Sequence, residues 1–242
     1  MTPCSSRRGG CMYISRMPLN LARFDTKRLV GSPYRMHAAV ESSFPPTCVR
    51  ATEEGRVLWR IDYSETNHSA WLYVVSPSRP DFTHLIEQAG WPTRMEWETK
   101  DYSPLLQRLA VGQRWQFRLR ANPVRKAASD RVTNSPRKSD EIIGKRLAFV
   151  TANQQMEWLV RRAPQNGFTV LQEECGPALR VIQRQKEHFE RNGTAVTLAT
   201  AVFEGQLEVT DAGALRHALC YGIGPAKGFG CGLLTLSPIR NS

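Results

Sequence analysis

The sequence Gly222-Ile-Gly-Pro-Ala-Lys-Gly-Phe-Gly-Cys-Gly232, followed at once by Leu233-Leu-Thr-Leu-Ser237, decides which phosphate-binding folds the chain can adopt. Glycine is placed where the backbone turns with positive φ or approaches another group closely. A dinucleotide-binding fingerprint follows a strand and opens a helix, whereas here a helix-like segment precedes the glycines and a short strand follows them. A P-loop is excluded because no Gly-Lys-Ser or Gly-Lys-Thr occurs. The loop with Lys227 is typical either of an anion-binding site or of a tight connector.

The segments upstream of this loop alternate between strand and helix patterns. Residues 115–121 read as a strand that Asn122-Pro123 ends, and residues 125–146 are basic and poor in apolar residues, which predicts a mobile loop. The remaining predicted elements, in chain order, are a helix at 152–163, strands at 168–171, 179–183 and 197–209, a helix from the cap Asp211 to about 219, and a strand at 233–237. Gly205 predicts a bulge in the long strand.

The first half of the chain has the same order of elements. Ser32 and Pro33 are typical of a helix start, as N-cap and first helical residue. The apolar positions of this helix form one stripe, made of Met36, Ala39, Val40 and Ser43/Phe44. The other predicted elements are strands at 12–17, 57–63 and 70–75, a turn at 65–69, a helix from the cap Asp81 to about 89, and a closing strand within 96–105.

Each half therefore has the order βαββαβ, and the chain is predicted to be an α+β protein with two tandem ferredoxin-like (RRM-like) domains. The first domain is expected at residues 12–108 and the second at 109–242. Residues 1–11 contain no core-facing pattern, and we expect them to form a disordered, dispensable extension.

Composition points to a polyanionic partner. The 242 residues carry a formal net charge of +11, which attracts nucleic acid first and an anionic membrane surface second. No apolar run approaches the length of a membrane-spanning helix, so we expect no membrane partner. The six cysteines are scattered without a Cys-x-x-Cys pair, so the sequence predicts no metal site, no cofactor and a reduced, cytoplasmic protein.

The helix that begins at Ser32 has a second, polar face. Tyr34, His37 and Glu41 are spaced by three and four residues, so their side chains can meet. Histidine suits proton transfer because its ordinary pKa lies near neutrality. By itself, however, any one of the five histidines is more often structural than catalytic.

Three segments together resemble a known family. They are Met12-Tyr-Ile-Ser-Arg-Met-Pro-Leu-Asn20, Phe117-Arg-Leu-Arg-Ala-Asn-Pro123 and the glycine loop, here defined as residues 222–232. The combination is similar to the CRISPR-associated endoribonuclease CasE family of type I-E systems, over essentially residues 12–238. The resemblance implies an enzyme that cleaves precursor CRISPR RNA at repeat stem-loops and stays on its product hairpin with the other subunits of the Cascade surveillance complex.

The resemblance also implies catalytic residues. His37 matches the family's catalytic histidine and is expected to act as general acid or base, with Tyr34 orienting the phosphate or the 2′-hydroxyl. Cleavage without a metal proceeds by attack of the 2′-hydroxyl on the adjacent phosphate, which gives a 2′,3′-cyclic phosphate and a 5′-hydroxyl. Glu41 is expected either to hold the imidazole or to form a solvated salt bridge.

Different residues are expected to bind the RNA. Arg118 and Arg120 share one face of a strand, which is ordinarily a solvated sheet face but in this family lies against the RNA. The segment 180–191, which carries Arg180, Arg184, Lys186 and Arg191, corresponds to a hairpin that relatives press into the groove of the stem. The predicted RNA-binding residues are Arg118, Arg120, Arg125, Lys126, Arg180, Arg184, Lys186, Lys227, Gly224 and Gly230.

Two alternatives stay open at this point. A non-catalytic subunit of the same fold would bind an RNA hairpin without cutting it. An enzyme acting on a nucleotide or phosphate metabolite would use the glycine loop, saturate with a small ligand and be indifferent to RNA.

Overall fold

The computed structural model describes residues 11–64, 69–93, 96–126, 146–174 and 176–239. The predicted extension at 1–11, the turn at 65–69 and the basic loop at 125–146 therefore lie mostly outside the described residues. The strands of the first half are β1 (Tyr13–Leu19), β2 (Leu58–Ser64), β3 (Ser69–Ser76) and β4 (Glu98–Asp101), and its helices are α1 (Phe24–Val30), α2 (Pro33–Glu41), α3 (Thr83–Ala89) and α4 (Ser103–Arg108).

The second half contains two helices and nine strands within the described residues. The helices are α5 (Ala152–Arg162) and α6 (Ala212–Tyr221). The strands are β5 (Arg114–Ala121), β6 (Val124–Lys126), β7 (Arg146–Ala148), β8 (Phe168–Val170), β9 (Gln172–Glu173), β10 (Gly176–Pro177), β11 (Leu179–Arg191), β12 (Thr194–Val209) and β13 (Leu234–Ser237). Arg125 and Lys126 thus belong to a short strand that pairs with β7, where the sequence predicted a loop.

Both main sheets have the ferredoxin-like strand order. The first sheet is β2-β3-β1-β4 and the second is β11-β12-β5-β13, with β8 also paired to β12. All of these pairs are antiparallel. The predicted tandem ferredoxin-like fold is therefore confirmed. The first sheet and its helices end with α4 at Arg108, and the second sheet begins with β5 at Arg114. The domain boundary near residue 108 stays a prediction.

Two short helices were missed by the sequence analysis. The closing strand was expected within residues 96–105, but β4 ends at Asp101 because the Asp101 side chain accepts a hydrogen bond from the Ser103 backbone N–H at 2.8 Å. Pro104 fits the first turn of α4, where its missing N–H has no partner to lose. Helix α1 begins with the exposed Phe24, so its sequence lacks a clear apolar stripe.

The predicted bulge lies on a neighbouring strand. The pairing of β11 with β12 shifts between Val181 and Gln183, so Ile182 is the extra residue and Gly205 is paired in register. Gly205 is needed for a different reason: a Cβ at this position would lie 2.2 Å from the Ala178 carbonyl oxygen. Strands β11 and β12 are both longer than the strands predicted at 179–183 and 197–209. Together they form an extended hairpin with its turn at Asn192-Gly193.

Arg60 joins the two sheets. It is 1% exposed and donates to the backbone carbonyls of Arg118 at 2.8 Å and Leu233 at 2.9 Å. Its guanidinium also binds Asp62 through both carboxylate oxygens, at 2.6 and 2.9 Å. Buried charges are tolerated when they are paired and hydrogen-bonded in this way, so Arg60 fixes how the second sheet lies against the first.

Replacement of Arg60 by alanine should destabilise the protein by about 3 kcal/mol, the low end of the cost of breaking a buried ion pair. Among the described residues, the change leaves the Asp62 carboxylate with Arg118 alone, at 3.3 Å, and removes a hydrogen-bond donor from two backbone carbonyls. Chemical denaturation of wild type and Arg60→Ala measures this difference. The matched control is Arg161→Ala, which breaks an exposed pair with Glu157 on α5 and should cost roughly 0.3–0.5 kcal/mol. Equal effects of the two changes would show that Arg60 does not join the sheets energetically.

Candidate functional site

The polar face of α2 meets the second domain. Ser32 caps the helix as predicted by accepting a hydrogen bond from the Arg35 N–H, and Met36 and Val40 are buried on the opposite face. His37 is half-buried, and its ring lies against the glycine loop: a Cβ built on Gly228 would be 3.6 Å from His37 Cε1. The Phe229 ring meets the imidazole edge to face, with centroids 6.5 Å apart.

The two predicted catalytic side chains have different partners. Tyr34 Oη donates to Asn192 Oδ1 at 2.9 Å, which connects α2 to the tip of the hairpin. His37 Nδ1 is buried and has no hydrogen-bond partner among the described residues. Glu41 does not hold the imidazole; its carboxylate accepts from Arg50 Nε at 2.5 Å, which is the second of the two predicted arrangements.

Charged groups of both signs act on the imidazole. Burial is the main cause that lowers the pKa of His37, Glu41 opposes the shift, and the Arg191 and Arg56 guanidinium groups add to it. Burial and then Arg56 lower the pKa of Lys227 in the glycine loop. Arg191 also lies over the Phe229 ring, with its Cζ 5.8 Å from the centroid. The neutral imidazole is thus favoured near neutral pH, among cations drawn from both domains.

The glycine loop is held tightly by the protein. Gly222, Gly224, Gly230 and Gly232 all have positive φ, which is one of the two reasons for glycine that the sequence left open. A Cβ on Gly230 would lie 2.6 Å from the Trp59 ring, and one on Gly224 would lie 3.1 Å from the Trp158 ring. The loop thus has the structure of a tight connector, because its glycines allow close packing. It also keeps the cation expected of an anion-binding site, because residues 227–229 form a single 3-10 turn that presents Lys227.

Arg118 and Arg120 of β5 form ion pairs with carboxylates of the protein itself. Arg118 Nε donates to Glu204 at 2.8 Å, and its Nη1 lies 3.3 Å from Asp62 Oδ2. Arg120 is 8% exposed and binds the Glu187 carboxylate. The two residues share a face of the strand, as predicted, but Arg120 is covered by other side chains, whereas the Arg118 side chain is 32% exposed. Their RNA-binding role stays a prediction.

The other predicted RNA-binding residues fall into two groups. Arg184 and Lys186 are exposed on β11 and line a groove of about 1270 Å³ that extends to Phe229, next to His37. Arg180 lines a separate cleft of about 840 Å³ between the two sheets, where it pairs with Glu204 at 2.9 Å. Arg125 is exposed, and the Lys126 side chain lies outside the description.

Three site residues escaped the sequence analysis. Arg56 is a single cation ahead of an apolar strand, and its Nε is buried without a hydrogen-bond partner in the described part of the chain. Asn192 and Phe229 acquire their roles only through contacts with α2. A signal for Asn192 was available, because Asn-Gly is typical of a tight hairpin turn and Asn192 has φ of +49°.

The described residues contain neither a metal-binding cluster nor a membrane-spanning helix. Among them, no three His, Cys, Asp or Glu side chains lie close enough together to hold a metal ion. None of their helices combines the length and the apolar character needed to span a bilayer.

Comparison with known proteins places the chain in a family. Residues 12–238 match the family model described as CRISPR associated protein. The chain is 32% identical over 235 residues to the CRISPR-associated endoribonuclease Cse3 of Thermus thermophilus, covering 94% of this chain and 100% of that protein. It is 36% identical over 170 residues to the CRISPR system Cascade subunit CasE of Escherichia coli, covering 69% of this chain and 81% of that protein.

A solved structure shows the same fold over nearly the whole length. Thermus thermophilus Cse3 bound to an RNA representing a pre-cleavage complex matches with a TM-score of 0.73 and 31% identity, over 94% of this chain and 100% of that chain. The chain therefore belongs to the family of CRISPR-associated proteins that includes the endoribonuclease Cse3 and the Cascade subunit CasE.

Proposed function

We propose that this protein is a metal-independent endoribonuclease that cleaves precursor CRISPR RNA at repeat stem-loops and remains on the product hairpin as a subunit of a type I-E Cascade complex. Two relatives are named as a CRISPR-associated endoribonuclease and as a Cascade subunit, and Thermus thermophilus Cse3 has been solved bound to an RNA representing a pre-cleavage complex. This function places the protein in the cytoplasm, where its RNA substrate is available.

One observation carries the proposal: the His37 imidazole is half-buried against the glycine loop at the junction of the two domains. Burial lowers its pKa, and Arg191 and Arg56 add to this shift while Glu41 opposes it. The neutral form of His37 accepts the proton of the 2′-hydroxyl as its oxygen attacks the adjacent phosphorus. Lys227, Arg56 and Arg191 offset the charge of the phosphorane. The bond from phosphorus to the 5′-oxygen then breaks, and the departing oxygen takes up a proton from solvent water and leaves as a 5′-hydroxyl. The imidazolium of His37 returns its proton to solvent, and the phosphorus stays in a 2′,3′-cyclic phosphate.

Tyr34 assists this step. In the free protein its hydroxyl donates to Asn192, and it lies one helical turn before His37. We assign Tyr34 to orient the scissile phosphate or the 2′-hydroxyl once RNA is bound. Asn192 belongs to the same hairpin that carries the exposed Arg184 and Lys186, so the hairpin connects the groove with the reacting group.

RNA contacts follow from exposure and charge. We assign phosphate contacts first to Arg184, Lys186 and Lys227, with Arg125 as an exposed neighbour of the groove. Glu204 neutralises the charges of Arg118 and Arg180, so these two arginines contact phosphate only after their salt bridges to Glu204 open. Gly224 and Gly230 shape the loop that presents Lys227.

The test is cleavage in excess EDTA. Wild-type protein incubated with repeat stem-loop RNA should give a 2′,3′-cyclic phosphate and a 5′-hydroxyl at a single position, at the same rate with and without the chelator, because the proposed chemistry uses only protein groups. Mass spectrometry of the RNA ends identifies the products. Intact RNA held tightly by the protein would instead identify the non-catalytic hairpin-binding subunit, and loss of cleavage with EDTA would contradict metal independence.

A further inference from the structure

We propose that the ion pair between Arg120 and Glu187 is a positioning device for the proposed reaction: it holds the glycine loop against the imidazole of His37 and ties that loop to the hairpin. The inference rests on the proposed function for its catalytic meaning. It also gives Arg120 a different task from the RNA contact that the sequence predicts.

The pair is buried and fully engaged. Arg120 Nη2 lies 2.8 Å from each carboxylate oxygen of Glu187, and the two side chains are only 10% and 21% exposed. The same guanidinium donates through Nη1 to the backbone carbonyls of Phe229 at 3.1 Å and Gly230 at 3.3 Å. Arg120 lies on β5, Glu187 on β11 and the two carbonyls in the glycine loop, so one side chain joins three segments.

The loop passes this restraint on to His37. Phe229, whose carbonyl accepts from Arg120, places its ring edge to face with the imidazole, and Gly228 lies directly against that ring. Phe229 also packs on Phe189 of the hairpin, with centroids 5.0 Å apart. No described residue bonds to His37 Nδ1, so close packing by the loop, rather than a hydrogen bond, fixes the imidazole.

Loosening the loop should therefore change the imidazole itself. Burial is the main cause that lowers the pKa of His37, so water entering beside Gly228 should raise that pKa toward its ordinary value of about 6.5. The charged groups facing the ring are Glu41 on its own helix, Arg191 on the hairpin and Arg56 ahead of β2. Arg191 stacks on Phe229, and its withdrawal with the loop would act in the same direction.

Lysine cannot replace Arg120 in this role. The guanidinium fork reaches the carboxylate and two carbonyls at once, whereas an ammonium is a single point charge on a flexible stem. Arg120→Lys keeps the charge of β5 but should release the loop. Glu187→Gln keeps the shape of the partner and removes only its charge, so it serves as the milder variant.

The experiment follows His37 directly. Wild type, Arg120→Lys and Glu187→Gln are labelled with ¹³C-histidine, the His37 signal is assigned with His37→Gln, and its pH titration is recorded by NMR. In both variants the titration should move to higher pH, and the single-turnover cleavage rate should fall about 10- to 100-fold, as expected when a reacting group is misplaced. Affinity for the stem-loop should stay within roughly two-fold of wild type, because the pair is buried away from solvent.

A matched control is Arg114→Gln, which breaks another Arg–Glu pair between β5 and a neighbouring strand, with Glu208 at 2.8 Å, and should leave the His37 titration unchanged. Slower cleavage with an unmoved His37 titration would overturn positioning and leave a purely structural role. Loss of RNA affinity with an unmoved titration would overturn it in favour of a direct RNA contact. If wild type does not cleave at all, the proposed function fails, whereas the NMR comparison still decides whether the pair positions His37.

Discussion

The His37→Ala protein is expected to cleave stem-loop RNA about a hundred- to ten-thousand-fold more slowly than wild type, the range that one general acid–base group contributes. The opposite face of α2 carries the buried Met36 and Val40, and the imidazole makes no hydrogen bond that the described structure would lose. The fold and the RNA-binding groove should therefore persist. Single-turnover cleavage and equilibrium binding of a non-cleavable RNA measure the two effects separately.

Tyr34→Phe is the matched comparison for this variant. It removes the hydroxyl that binds Asn192 and leaves the proton acceptor in place, so its loss of rate should be smaller. The wild-type rate should fall as pH drops through the His37 pKa, which burial keeps below its ordinary value, because protonated imidazole cannot accept the 2′-hydroxyl proton. A His37→Ala protein that folds, binds the hairpin and cuts at the normal rate would contradict the assignment.

Local signals in the sequence were sufficient for the fold. The Ser32 cap with Pro33 placed the start of α2, and alternating residues located the central strands. Helix α6 begins after Asp211, whose side chain accepts from two backbone N–H groups as its sequence position predicted. These features depend on residues within one or two turns of each other, which is why they can be read without tertiary information.

The length of the hairpin could not be read in this way. Residues 184–191 are charged or polar except for Phe189, so they lack the apolar alternation that identifies a half-buried strand. Eight registered pairs with β12 stabilise these residues instead.

The site itself depends on contacts between distant segments. Period-two spacing correctly placed Arg118 and Arg120 on one face, but their ion pairs with Glu204 and Glu187 on other strands decide whether each guanidinium is available to a ligand. The bond between Tyr34 and Asn192 joins residues 158 positions apart. A sequence pattern can identify such residues as candidates. The packing of the two domains determines whether a cation faces solvent or a carboxylate.

RNA affinity should fall by about three to five decades between roughly 50 and 200 mM salt, if the interface neutralises about six to ten phosphates. The net charge of +11 and the exposed Arg184 and Lys186 along the groove beside Phe229 are the physical basis. Titration of stem-loop RNA binding at several salt concentrations gives the slope. A shallow slope, or equal affinity for unstructured RNA, would contradict binding in a hairpin groove.

Arg184 offers the sharpest version of this salt test. Its guanidinium is exposed and its described hydrogen bond is a 3.3 Å contact to the Val150 carbonyl, so its charge is free to meet a phosphate. Arg184→Gln should lower the slope of log affinity against log salt by about one and leave the cleavage position unchanged. Arg161→Gln removes one positive charge from the C-terminal turn of α5, where Arg161 pairs with Glu157. This control should leave the slope unaltered. Equal changes for the two variants would mean that affinity reflects overall charge rather than contacts in the groove.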